Sequence, residues 1–164
     1  MSAVPKLRLR RAKPPAAPAR PRPRSYYLVA GVALDAEMER LRALPVFADG
    51  PLAERRPRLK VRRASRKPNR LGFAVPTEFR LSVTAYPEIR PGDVLETLLH
   101  ELVHLHVGRA REVHAWHGPT FKRTLTQAMR EAYGITMPPP RSTLHGPYAE
   151  AIGNSIRRVR ENHP

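Results

Sequence analysis

The sequence predicts one small α+β domain with a basic arm ahead of it. Three observations carry that reading. A chain of 164 residues suits a single compact core. Three short alternating stretches fall together between residues 58 and 84. Helical patterns flank them rather than alternating with them, which argues against repeated βαβ units.

Residues 1–24 hold six prolines, eight Lys/Arg and no acid. Proline forbids regular ladders and like charges repel, so this stretch reads as a disordered, extended arm. From Tyr26 to Leu34 the chain is apolar, and the pattern runs on into Met38, Leu41 and Leu44 at helical spacing. A helix is expected over about Tyr27–Leu44, stopped by Pro45. A proline-broken leader and that continuation argue against a secretion signal. The strands follow: Arg58–Arg62, Leu71–Val75 and Phe79–Thr84, expected as a short three-stranded antiparallel sheet. Pro91-Gly92-Asp93 then opens a helix, with Asp93 as N-cap and Glu96 completing a capping box. That helix is apolar nearly all round, hence buried, and ends near Gly108. Pro119 begins an amphipathic helix that Gly134 terminates, and after Pro138-Pro139-Pro140 a last amphipathic segment runs from Tyr148 to about Val159. The divisions are 1–24 arm, 25–137 domain, and 138–164 proline-rich break with a C-terminal basic amphipathic helix.

Composition narrows the chemistry. With no cysteine, disulfide scaffolds, thiol nucleophiles and cysteine-based zinc sites are excluded, so any metal must be held by His, Asp or Glu. No apolar run approaches the roughly 20 residues of a membrane span. The net charge of +16 favours a polyanionic partner. Its basic residues are 25 Arg and 5 Lys, with Ala and Pro also abundant, a bias that coding composition alone can produce. Placement therefore counts for more than the total. Eight charges sit in the arm, and nine more Lys/Arg crowd between Arg55 and Arg70. The candidate nucleic-acid contacts are Arg8, Arg10, Arg11, Arg20, Arg22 and Arg24 in the arm, and Arg58, Lys60, Arg62 and Arg63 beside the strands.

The buried helix contains His100-Glu101-Leu102-Val103-His104, an H-E-x-x-H motif. Four residues make slightly more than one turn, so His100 and His104 project from one face and can occupy two corners of a zinc tetrahedron. Glu101 lies beside them, where its carboxylate can act as general base without ligating. Two imidazoles and a carboxylate hidden among leucines cost desolvation unless something satisfies them. A third ligand is needed. His106 follows His104 too closely to share its face. His114, His117, His145 and Glu131 remain, with His117 at the mouth of the next helix, where the chain must turn back across the first.

His-Glu-Leu-Val-His-Leu, a short loop and then His117-Gly118-Pro119-Thr120-Phe121-Lys122 resemble the SprT-like (Spartan-type) zinc metallopeptidase family. The resemblance covers roughly residues 27–135. It implies a zincin-like domain in which the H-E-x-x-H helix packs on the following helix, with His100, His104 and His117 as zinc ligands and Glu101 as catalytic base. Many bacterial members add a cysteine-based zinc ribbon, which a chain without cysteine does not have.

The function expected from residues and resemblance together is a zinc-dependent metalloendopeptidase of low sequence specificity, acting on DNA-associated or DNA-crosslinked proteins. Its substrate is polypeptide, gripped along the Phe79–Thr84 strand as a sheet edge. DNA is the expected partner, no membrane is involved, and the chain is taken as a cytoplasmic monomer, nucleoid-associated where it binds DNA. Trp116 and Tyr133 are expected to pack rather than to catalyse. The competing readings are a non-catalytic DNA-binding protein with a structural zinc, and a general peptidase without DNA dependence.

Overall fold

The computed structural model describes residues 27–108, 116–136 and 147–162. The arm arginines Arg8 to Arg24, together with His114 and His145, lie outside the described residues.

The chain enters through a two-residue hairpin, β1 (Leu28–Val29) and β2 (Val32–Ala33). This corrects the long first helix expected from Tyr27. Ala30 and Gly31 both take positive φ, 51° and 76°, which suits the tight turn of a two-residue hairpin and no right-handed helix. Helix α1 therefore starts only at Leu34 and ends at Arg42, with Leu34, Met38 and Leu41 buried. Tyr27 N donates to Asp35 Oδ2 at 3.2 Å and ties the hairpin to the first helical turn. After a 3-10 turn at Pro45–Phe47, a single-turn helix α2 (Pro51–Glu54) stands where only a loop was expected.

Strands β3 (Arg58–Arg63), β4 (Gly72–Val75) and β5 (Arg80–Ala85) form the sheet, close to the expected boundaries. Its topology differs from the expectation. The order is β3-β5-β4, with β4 antiparallel to β5 and β3 parallel to it. The sheet is mixed, and β5 is its central strand, not an edge. Central placement fits the composition of β5, whose residues Leu81–Thr84 are all buried.

Helix α3 (Pro91–Val107) lies against the sheet face that carries Gly72, Leu81 and Val83. Arg90 is its N-cap, so Asp93 is the N3 member of the capping box and not the cap itself. The Asp93 carboxylate accepts from Arg90 N at 3.3 Å and from its guanidinium at 2.9 and 3.1 Å. Proline at N1 shifts the start because it needs no hydrogen bond there and brings its own helical φ. Gly108, with φ 65°, ends the helix by donating to His104 O at 3.0 Å.

Helix α4 (Pro119–Tyr133) packs on α3 and stops at left-handed Gly134. Its last residue reaches α1, where Tyr133 Oη donates to Glu37 Oε1 at 3.0 Å and Arg40 lies over the ring. Helix α5 (Pro147–Asn162) completes the core with Tyr148, Ala149 and Ile152. It sits so close to the start of α3 that a Cβ on Gly92 would meet the Ala149 backbone. The result is a mixed α+β architecture in which α3 is the most deeply enclosed element.

Candidate metal centre

His100 and His104 lie one turn apart on α3, and His117 precedes the N-cap of α4. Packing of the two helices brings three Nε2 atoms to a single point. They are 3.1 Å (His100–His117), 3.2 Å (His100–His104) and 3.1 Å (His104–His117) apart. An imidazole Nε2 presents either one N–H or one lone pair, in the ring plane, so three such atoms cannot satisfy all three mutual contacts. A cation at their meeting point can, because it accepts three lone pairs at once. Zinc–nitrogen bonds of about 2.0–2.1 Å in a tetrahedron separate ligand nitrogens by roughly 3.3 Å, close to the observed triangle. The donor set therefore fits a zinc-type metal.

The surroundings hold these rings in place. Phe121, one turn into α4, contacts all three, with ring centroids 4.9 Å from His100, 4.4 Å from His104 and 4.8 Å from His117. Trp116 stands edge-on to His104 at 5.7 Å and is 46% exposed, so it forms the rim of the site. Burial drives the His104 pKa down to about 3, with His117 and Arg70 acting in the same direction. A neutral imidazole is the form that binds metal.

Glu101 is only 5% exposed. Burial pushes its pKa up to about 8, against the opposing positive charge of Arg70. Its carboxylate lies against Gly72, the first residue of β4, so closely that there is no room for a Cβ there. A buried carboxylate with its pKa raised to about 8 can accept and return a proton.

The other candidates for third ligand are now placed. Glu131 is occupied elsewhere: its Oε2 accepts from Val46 N at 2.9 Å and its Oε1 from Gln127 Nε2 at 2.9 Å. His106 packs against Phe47 with ring centroids 5.1 Å apart, alongside Gly50. Among the described residues, His100, His104 and His117 make the one cluster able to hold a metal ion. Of the strand cations, Arg58, Lys60 and Arg62 share the sheet face away from α3, while exposed Arg63 closes the strand on the other parity. None of these joins the metal centre.

Two neighbours of the site escape a reading of the sequence alone. Arg70 appears there only as one member of a cationic run, yet its charge reaches both Glu101 and His104. Gly72 reads as an ordinary strand glycine. Both owe their position to β4 lying against α3, and no local pattern encodes that contact.

Three imidazoles brought together by two packed helices could hold a metal ion, and buried Glu101 follows the first of them in the chain. The SprT-like family model matches residues 44–143, which include every one of these residues. The chain belongs to the SprT-like family. No curated protein matches it. No solved structure matches it either.

Proposed function

We propose that this chain is a zinc-dependent endopeptidase of low sequence specificity with a zincin-like catalytic domain, working on proteins associated with or crosslinked to DNA. The observation that carries the peptidase reading is the convergence of three histidine Nε2 atoms, with buried Glu101 next in the chain to His100. When bound, zinc supplies Lewis-acid polarisation of the scissile carbonyl. His100, His104 and His117 hold it. Glu101 takes a proton from the attacking water and passes it to the leaving amide nitrogen. A structural metal site would have no use for such a base.

Substrate is held by the edge of β4, not by β5 as the sequence suggested. β4 is the outer strand on the side that touches Glu101, and its free edge can accept an extended peptide through main-chain hydrogen bonds. Binding of that kind reads backbone geometry, which accounts for low side-chain selectivity. The DNA part of the proposal rests on the cations of β3 and of the arm, and implies a nucleoid-associated, cytoplasmic protein. Among the described residues no helix is long and apolar enough to cross a membrane.

The test uses labelled casein with metal content measured in parallel. Glu101→Gln should keep its zinc and lose cleavage by about 10²–10⁴-fold, the usual worth of a general base. Unaltered proteolysis in that variant would sink the mechanism. His117→Ala should lose the metal, and full zinc content would assign the third ligand elsewhere.

A further inference from the structure

The metal centre uses one face of the sheet, and the other face has a distinct chemistry. Strand register puts Lys60, Ser82 and Phe73 in one cross-strand row, with Arg62 and Thr84 forming the next. Ser82 and Thr84 are small and buried in the middle, 5% and 8% exposed. Long side chains rise on both sides of them. On the β3 side stand Arg58, Lys60 and Arg62, all exposed and on alternate residues, hence about 6.6 Å apart in a straight track. On the β4 side stands Phe73, 38% exposed, with the Arg70 guanidinium 5.2 Å from its ring centre.

The charge on this face has little local compensation, all of it from Glu78. No acidic residue occurs between Glu54 and Glu78. Glu78 pairs with Arg80 and, at 4.0 Å, with Arg58. Among the described residues Lys60, Arg62, Arg63, Arg66 and Lys67 form no ion pair with an acidic side chain. A regular track of cations, in which only Arg58 pairs with an acid and does so at 4.0 Å, fits a polyanion with a regular backbone. An exposed aromatic across the track selects among polyanions. In a duplex the bases already stack on one another, whereas a single strand has base faces free to lie on a ring.

We propose that this outer sheet face binds single-stranded nucleic acid, with phosphates along Arg58, Lys60 and Arg62 and a base stacked on Phe73. This deepens the nucleic-acid part of the function proposed above and rests on it. It assigns the strand to the face opposite α3, so a bound strand would leave the metal centre open to polypeptide.

The experiment is fluorescence anisotropy of a labelled oligothymidylate with the full chain, at several salt concentrations. Phe73→Ala should weaken binding about 5- to 150-fold, the range that loss of one base–aromatic stack produces, and Phe73→Tyr should restore it. Lys60→Gln with Arg62→Gln should reduce the slope of log affinity against log salt by about 1.4, roughly 0.7 for each phosphate contact of a single strand. Near-ultraviolet circular dichroism and zinc content verify that each variant is folded. Affinity indifferent to Phe73→Ala would overturn the proposal. So would equal Phe73 dependence for a matched duplex, for poly-glutamate or for phosphatidylserine vesicles. Strand binding that survives these variants but disappears when Arg8, Arg10, Arg11, Arg20, Arg22 and Arg24 become Gln would refute this face and keep the nucleic-acid reading. Absence of any strand binding would refute both. Because no cleavage enters the measurement, failure of the peptidase mechanism would show separately.

Discussion

Replacing Gly72 with alanine adds one methyl group where β4 lies against α3. The new Cβ would stand 2.6 Å from Thr97 Cγ2 and 2.7 Å from Glu101 Cγ, with the Glu101 carboxylate closer still. Carbon atoms pack at about 3.5–4.0 Å, so roughly 1 Å must be found somewhere. Thr97 has little to give: it is fully buried, and its Oγ1 donates to Asp93 O at 2.7 Å. The strain therefore falls on Glu101 and on the start of β4. Overpacking of this kind costs about 1–3 kcal/mol. Removing a strand glycine returns about 0.5–1 kcal/mol. The net expectation is a destabilisation of about 0–2.5 kcal/mol, read from urea unfolding. Catalysis should suffer more, because a base displaced by about 1 Å can lose on the order of 10²-fold in kcat. The atoms nearest that Cβ belong to Thr97 and Glu101 and none to His100, His104 or His117, so zinc content should stay at one equivalent. A Gly72→Ala variant as stable and as active as the parent would refute the close packing and, with it, the positioning of Glu101 by β4. Loss of zinc along with activity would show that the strand supports the ligands rather than the base.

Two further outcomes follow from the site. In metal-free protein the Glu101 pKa is raised from 4.5 to about 8, so its stabilising contribution is complete below pH 4.5 and lost as pH rises through 8. The His104 pKa is lowered from 6.5 to about 3, so its contribution is present above pH 6.5 and lost as pH falls toward 3. The two cancel between 4.5 and 6.5, leaving an alkaline limb from 6.5 to 8 worth about 2 kcal/mol. Unfolding of EDTA-treated Glu101→Gln protein should lack that limb, and an unchanged decline would assign it to another group. Trp116, the single tryptophan, lies edge-on to His104. Its emission should be quenched by cobalt(II) with saturation at one equivalent, and an unresponsive spectrum would put the metal elsewhere.

What was legible in the sequence was what the backbone decides over a few residues. The relation of His100 to His104 follows from 3.6 residues per turn, and it survives in α3 as read. Proline and glycine marked the ends of α3 and α4 because their restrictions act on their own dihedrals. The alternation of residues 58–62 and 79–84 announced β3 and β5. The same local logic misled at the amino end, where Leu28–Val32 has helical periodicity but Ala30-Gly31 turns the chain with positive φ.

Everything that depends on which distant segments meet had to come from the tertiary structure. Neighbouring strands in sequence suggested simple antiparallel pairing, yet β3 pairs in parallel with β5 and leaves β4 at the edge. The sequence named His117 through a motif; its Nε2 reaches the other two because α4 packs on α3, with Phe121 against all three rings. Gly72 against Glu101, Arg70 near the metal centre and Phe73 in line with Lys60 are likewise products of packing and register. Local sequence determines dihedrals and periodicity, and so the presence of a helix that carries His100 and His104 on one face. Which side chains surround that helix is decided by contacts between segments far apart in the chain, formed to bury the apolar faces of α3 and the sheet together.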